Sequence, residues 1–305
     1  MNFSARSSPA MPEWIIRLIE TPEEVEAVQD LQRLVWRCSE TDIIPAHTLL
    51  AMAHNGGLLL GAFVHEALVG MLWGFPGFYS TPDGPRLKHC SHILGVRPEW
   101  RDSGLGFALK RAQWQMVRHQ GLDLITWTYD PLLGRNAHLN IARLGAVCNT
   151  YRRSEYGDMS DGLNAGLPSD RFQVDWWVNT RRVERRLSRR QRPVLGLDHF
   201  LAADVSLCAA IAEPSGWPRP PENIPALEAR PGSGRLLLVE IPVDFLALKE
   251  ADLALARDWR FYARAVFETA FSAGYLVTEF VFDRTGEQPR SFYVLAHAES
   301  TLDAS

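Results

Sequence analysis

Residues 95–107 read GVRPEWRDSGLGF, and the reading of this stretch decides the fold. An apolar run, HCSHILGV at 89–96, leads into it, and a helix-like stretch, ALKRAQWQMVRH at 108–119, leads out. Gly104 and Gly106 therefore stand one residue apart where a strand hands over to a helix. The first turn of a helix has backbone N–H groups without internal partners, and its aligned dipoles favour an anion there. Removing the Cβ at two alternate positions lets a phosphate come close to backbone nitrogen and permits a positive φ. The stretch predicts strand, phosphate-binding turn, helix.

Two common phosphate motifs do not fit. A dinucleotide fingerprint needs a third glycine where Leu109 stands, and the GK[ST] of a P-loop is missing. Nor does HCSH predict a metal site. On a strand, His89 and His92 are three residues apart and point to opposite faces, so they cannot grip one ion.

Working outward, a strand is predicted over Trp14–Ile19, and TPEEVEAVQDLQRLVW opens a helix with a Thr cap followed by two glutamates. GLLLGAFV and ALVGMLWGFP, separated by His65 and Glu66, predict a hairpin, and HCSHILGV a further strand ending before Pro98. After the glycines come a helix from Phe107 to His119 that stops at Gly121 and a strand, LDLITWTYD, that ends at Pro131. A helix over GRNAHLNIARLGA and a strand over SDRFQVDWWV follow. The order predicts an α/β fold of the α+β mixed-sheet kind, with helices on the faces of the sheet, complete by about residue 180.

A length of 305 residues with 46% hydrophobic side chains supports two cores. The predicted division is a disordered tail over 1–12, a first domain over 13–180, an arginine-rich linker over 181–192 and a second domain over 193–305. RRVERRLSRRQR, at 181–192, is read as a solvated linker helix. The next stretch is irregular and proline-rich over 213–231; LLLVEIPVDF, LVTEFVFD and SFYVLAH then read as strands and WRFYARAVFETAFSAGY as a helix. Aligned on Gly121 and Gly274, VEIPVDF to LVTEFVFD matches LGVRPEW to LITWTYD as a degenerate repeat, with Arg257 and Trp259 in the places of Gly104 and Gly106.

A formal charge of −4, from 32 basic and 36 acidic residues, argues against a dedicated binder of nucleic acid or anionic membrane. No apolar run has the roughly 18 residues of a membrane span, and residues 1–12 lack the apolar core of a secretory signal. The expectation is a cytoplasmic protein. Cys38, Cys90, Cys148 and Cys208 lie far apart, as reduced thiols rather than a disulfide framework or zinc site.

Arg101, Gly104 and Gly106, preceded by ILGVRPEW, resemble the acetyl-CoA motif of the GNAT N-acyltransferases. Across most of the chain WTYDPLLGRNAHLN, RLGA and YGDMSDGLNAGLPSDR are similar to a two-part bacterial branch of predicted GNAT acyltransferases. The resemblance implies a GNAT fold in the N-terminal half and a second, degenerate GNAT-like C-terminal half. It implies transfer of an acetyl or succinyl group from acetyl-CoA or succinyl-CoA to a primary amine of a small molecule, an amino acid being one candidate, without a metal. Leu94, Gly95 and Val96 would meet the pantetheine and thioester. Arg101, Asp102, Ser103, Gly104, Leu105, Gly106 and Phe107 would present bare amides to the diphosphate, and Asn136 and Asn140 would bond to pantetheine.

The glutamate that serves as base in histone-type members falls here on Cys90. His92 shares that strand face and could accept the proton. The family's acid, a tyrosine, falls on Ile141; Tyr129 and Tyr151 are candidate substitutes. The loop holding Asp161, Asn164, Asp170 and Arg171 is read as the acceptor pocket. Neither nucleic acid nor membrane is an expected partner, and a homodimer is left open. The missing glutamate and tyrosine favour an alternative, a non-catalytic CoA-binding sensor or assembly module. A third reading takes the arginine run as a nucleic-acid contact.

Overall fold

The computed structural model describes residues 13–36, 39–157, 165–188, 195–203, 205–214, 216–224 and 236–297. These fall into two units, residues up to Phe75 with Ile93–Gln113, and Pro76–His92 with the chain from Trp114 onward.

The first unit opens with β1 (Ile15–Leu18), α1 (Pro22–Trp36), α2 (Ala46–His54), β2 (Leu58–Val64) and β3 (Ala67–Thr81), the last belonging to it through Phe75. The amide of Glu24 donates to Thr21 Oγ1 at 3.3 Å while Glu24 Oε2 accepts from the Glu20 amide at 3.1 Å, so α1 starts at the predicted cap. β1 pairs antiparallel with β2, and β2 with β3, around a tight turn in which His65 takes φ 53°. Val25, Val28 and Leu31 of α1 bury against Leu59, Phe63 and Met71. α2, which carries no polar cap at Pro45, was not anticipated. The end of β4 (Gly84–Val96) and the start of α3 (Leu105–His119) complete this unit. α3 starts two residues before its predicted first residue.

The second unit holds β5 (Leu124–Tyr129), α4 (Gly134–Ala137) running into a π-helical turn over His138–Arg143, β6 (Val147–Arg152), β7 (Arg171–Trp177), α5 (Arg181–Leu187), α6 (Leu197–Leu201), β8 (Val205–Cys208), β9 (Leu236–Ile241), α7 (Phe245–Ala251), α8 (Leu253–Ser272), β10 (Tyr275–Asp283) and β11 (Arg290–His297). Its strands lie in the order β4-β5-β7-β6-β10-β11-β9-β8. β4 and β5 are parallel, β5 is antiparallel to β7, and β7 to β6. From the other edge, β8 and β9 are parallel, β9 is antiparallel to β11, and β11 to β10. The two half-sheets meet antiparallel where Cys148 of β6 faces Val277 of β10.

The topology thus repeats, and corrects the alignment of the repeat read from the sequence. β9 takes the place of β5, not of β4, and β8 takes the place of β4. Gly145 (φ 80°) before β6 corresponds to Gly274 (φ 84°) before β10, and both following strands carry a register shift, at Val147/Thr150 and Val277/Glu279. Among the described residues between Cys208 and β9 no helix stands in the slot of α3, and Ile211 bridges to Arg219. The sequence match is displaced by one element because β8 has only four residues and no helix follows it among the described residues before β9.

Between the half-sheets Phe172 packs edge-on against Tyr129, Phe267 and Tyr293. Such aromatic pairs contribute roughly 0.5–1.5 kcal/mol each beyond their buried area. The arginine run, expected to be solvated, is through Leu187 a helix packed across the same junction. Arg182 Nε donates to Gly145 O at 2.9 Å and its Nη2 to Thr278 O, while Arg186 pairs with Glu279. Arg189–Arg192 lie outside the described residues.

Candidate functional site

In the first unit β4 ends as predicted. Arg97 is held by its amide on Val69 O at 3.0 Å and by Nε on Leu68 O at 2.7 Å. Gly95 has a packing reason: a Cβ there would stand 2.8 Å from Trp36. Leu94 and Val96 flank it, partly buried. After a short turn over Pro98–Trp100, Asp102 (φ 62°) and Gly104 (φ 90°) both take left-handed backbone, the conformation glycine adopts without Cβ strain.

Not all seven main-chain nitrogens of 101–107 are bare, which corrects the expectation. The Arg101 amide donates to Pro98 O at 3.2 Å, and the Leu105 amide to Ser103 Oγ at 3.3 Å, which in turn donates to Trp100 O at 2.7 Å. The amides of Gly104 and Gly106 meet no protein acceptor among the described residues. A Cβ at Gly104 would find nothing within 4 Å, and one at Gly106 only Leu94 at 3.9 Å. Space and two free donors at a helix start fit an anionic diphosphate.

In the second unit His92 lies on β4 with its side chain exposed, and Cys90 shares its face while His89 and Ser91 bury on the other. The protein around His92 withdraws water from the imidazole and pushes its pKa below the usual histidine value. A neutral ring at neutral pH can accept a proton.

The two candidate acids are both committed elsewhere. Tyr293 Oη donates to Pro131 O at 2.8 Å, which leaves it to accept from Tyr129 Oη at 3.2 Å. Burial holds the Tyr129 phenol well above its ordinary pKa. Tyr151 Oη donates to Asp170 Oδ2 at 2.9 Å, and burial followed by the Asp170 charge raises its pKa as well. Ile141, where the resemblance would place a tyrosine, is fully buried. Asn136 is partly buried on α4 and Asn140 is 5% exposed in the π-helical turn, a local widening of the kind often found at functional sites.

Asp170 is not available to an acceptor. It is fully buried and accepts from Arg264 Nε at 2.9 Å and Nη2 at 2.8 Å, from the Ser154 amide at 2.9 Å, and from Tyr151. Burial by itself would raise its pKa, but the Arg264 guanidinium and these donors hold it below the usual value. Arg171 is buried too, with Nη1 on Asp170 O at 2.9 Å and its guanidinium over the Tyr156 ring. Asp161 and Asn164 lie outside the described residues. Among the described residues no group of three or more histidine, cysteine or acidic side chains is placed to hold a metal, and no helix is long and apolar enough to cross a membrane.

Sequence reasoning missed Asp175. The signal was in RFQVDWW: period-two alternation puts Gln173, Asp175 and Trp177 on one face of β7 and Phe172, Val174 and Trp176 on the buried one.

No family model matches the chain, and no curated protein does. Solved structures do match, over the N-terminal half. An acetyltransferase of the GNAT family from Streptococcus pneumoniae is 16% identical, with 53% of this chain and 98% of that one covered and a TM-score of 0.41. The aminoglycoside 6'-acetyltransferase type Ii is 19% identical over 55% of this chain and 99% of that one, TM-score 0.43. The ribosomal-protein-S18-alanine N-acetyltransferase from Escherichia coli is 14% identical over 54% and 94%, TM-score 0.42.

Proposed function

We propose that this chain is a GNAT-type N-acyltransferase that moves an acetyl or other short acyl group from coenzyme A to an amine. The observation that carries the reading is the turn before α3: left-handed Gly104, helical Gly106, and two amides with open space above them. Their donors would hold the diphosphate, each such contact at a helix start contributing roughly 0.3–1 kcal/mol when exposed. Asn140 would bond to pantetheine. The thioester supplies the activated acyl group. His92 would take a proton from the acceptor's ammonium, directly or through one water, so that the freed amine attacks the thioester carbonyl and the thiolate leaves, and its lowered pKa keeps the ring neutral for that role. Holding amine and acyl donor in contact can contribute roughly 7–11 kcal/mol to the rate.

No protein acid is assigned to the departing thiolate. Coenzyme A is a stable leaving group, and the committed hydroxyls of Tyr129 and Tyr151 favour protonation by solvent. The same facts support a second reading, in which the chain binds acyl-CoA without turnover. We assign the second half-sheet no phosphate cradle, so one CoA is expected per chain.

The test is release of free thiol from acetyl-CoA and succinyl-CoA, each offered amino acids, diamines and polyamines. Amine-dependent thiol establishes the enzyme. Calorimetric CoA binding without thiol release from any pair establishes the sensor, and no CoA binding removes both readings.

A further inference from the structure

Four half-buried or buried carboxylates of the second unit each have a guanidinium: Asp130 with Arg260, Asp170 with Arg264, Glu240 with Arg290, Glu279 with Arg186. Asp175 is half-buried in the middle of β7, and no hydrogen-bond donor or ion pair among the described residues meets it. Burial pushes its carboxyl above the usual value, opposed by the charge of Lys88, which lies two residues before Cys90 on the same face of β4. A desolvated carboxylate left without a partner costs stability. A perturbed carboxyl without a hydrogen-bond donor marks a candidate binding position.

The sheet register says what shares its surface. Cys90 of β4 is level with Thr126 of β5, and Thr126 with Asp175 of β7, so the three stand in one row on one face. His92, two residues beyond Cys90, is on that face as well. A Cβ on Gly77 would strike Cys90 Sγ at 2.7 Å, so a glycine is what allows the thiol side of the row to lie flat. At one end Tyr79 and Trp177 meet edge to face, 6.0 Å between centroids. A carboxylate beside aromatic rings is the chemistry that recognises an organic cation. With strands about 4.8 Å apart and a rise of about 3.4 Å per residue, the His92 and Asp175 backbones are about 12 Å apart.

We infer that Asp175 binds a second cationic nitrogen of the acceptor, so that the acceptor is a diamine or polyamine rather than a simple monoamine. The assignment rests on the acyltransferase reading for which nitrogen reacts, but the binding itself does not need turnover. The reacting amine sits at His92 and the remote ammonium at Asp175.

The test is calorimetric titration of the intact chain with spermidine and with butylamine at neutral pH, for the wild type, Asp175→Asn and Asp175→Glu. Spermidine should bind the wild type, weaken about tenfold or more in Asp175→Asn, as expected for loss of a charge-assisted contact, and recover in part in Asp175→Glu. Butylamine should be indifferent to all three. The unfolding midpoint of Asp175→Asn should equal or exceed that of the wild type, which separates a ligand role from a structural one. Equal spermidine binding by wild type and Asp175→Asn overturns the inference, as does failure of spermidine to bind the wild type at millimolar concentration. CoA titrated into the same samples keeps the two readings apart, because loss of CoA binding bears on the acyltransferase and not on Asp175.

Discussion

Arg260 of α8 grips Asp130 at the end of β5 with Nη1 on Oδ1 at 2.9 Å and Nη2 on Oδ2 at 2.5 Å, and Arg260 is 2% exposed. The pair joins the two half-sheets, and Asp130 Oδ1 also accepts the Leu132 amide at 2.9 Å, fixing the turn into α4. Breaking one partner of a buried pair typically costs about 3–5 kcal/mol, whereas replacing both can be close to neutral. Arg260→Met should therefore lower urea-unfolding stability by about that amount, and adding Asp130→Leu should restore part of it. A single variant with wild-type stability would show that the bond contributes nothing net.

Gly106→Ala separates stability from ligand binding. Alanine in a helix gains about 0.5–1 kcal/mol over glycine, and the added methyl meets only Leu94 at 3.9 Å. The variant should melt at or above the wild-type temperature yet bind CoA more weakly by calorimetry, because its Cβ intrudes on the diphosphate. At Gly104, where φ is 90°, Gly104→Val should lose both stability, by about 1–2 kcal/mol, and binding.

His92 gives the acid limb of the pH profile. Its folded pKa is below the reference of about 6.5 because the protein packed around the ring, whose edge still meets solvent, desolvates the imidazolium. The active neutral form is therefore present above the folded pKa and lost as pH falls through it. kcat/KM of the free enzyme should fall on an acid limb with a midpoint below about 6.5, and His92→Gln should abolish that limb. A limb unchanged in His92→Gln would assign the base elsewhere.

Lys110 on α3 is 2% exposed, donates to Gln113 Oε1 at 3.2 Å, and has a pKa pushed well down by burial. A depressed folded pKa makes stability greatest above the unfolded lysine value of about 10.4 and smaller as pH falls. Lys110→Met should raise stability at pH 7 by about 1–3 kcal/mol, with a smaller gain at pH 10. Equal gains at both values would mean that the lysine folds with its charge intact.

Local chemistry is legible in a sequence where a few neighbouring residues decide it. The glycine turn, the Thr21 cap, the hairpin around His65 and the shared face of Cys90 and His92 follow from short-range sterics and periodicity, and the fold bears them out. Asp170 was legible as a polar loop residue and Tyr151 as a candidate acid, but not Asp170 as the shared partner of Tyr151 and of Arg264, which is 94 residues further along the chain. Asp175 was readable by alternation and was passed over because a single aspartate in a strand also suits a solvated face.

The order of residues by itself determined the strand, the two-glycine turn and the helix, because backbone conformation there depends on missing Cβ atoms and adjacent caps. Tertiary structure alone decided that β8 and β9 replay β4 and β5 and that α8 arginines neutralise carboxylates of the first half-sheet. It also decided that Asp175 is half-buried without a hydrogen-bond donor among the described residues. Pairing across a sheet and burial of charge depend on residues brought together from tens of positions to 130 positions apart, and no local pattern encodes that distance.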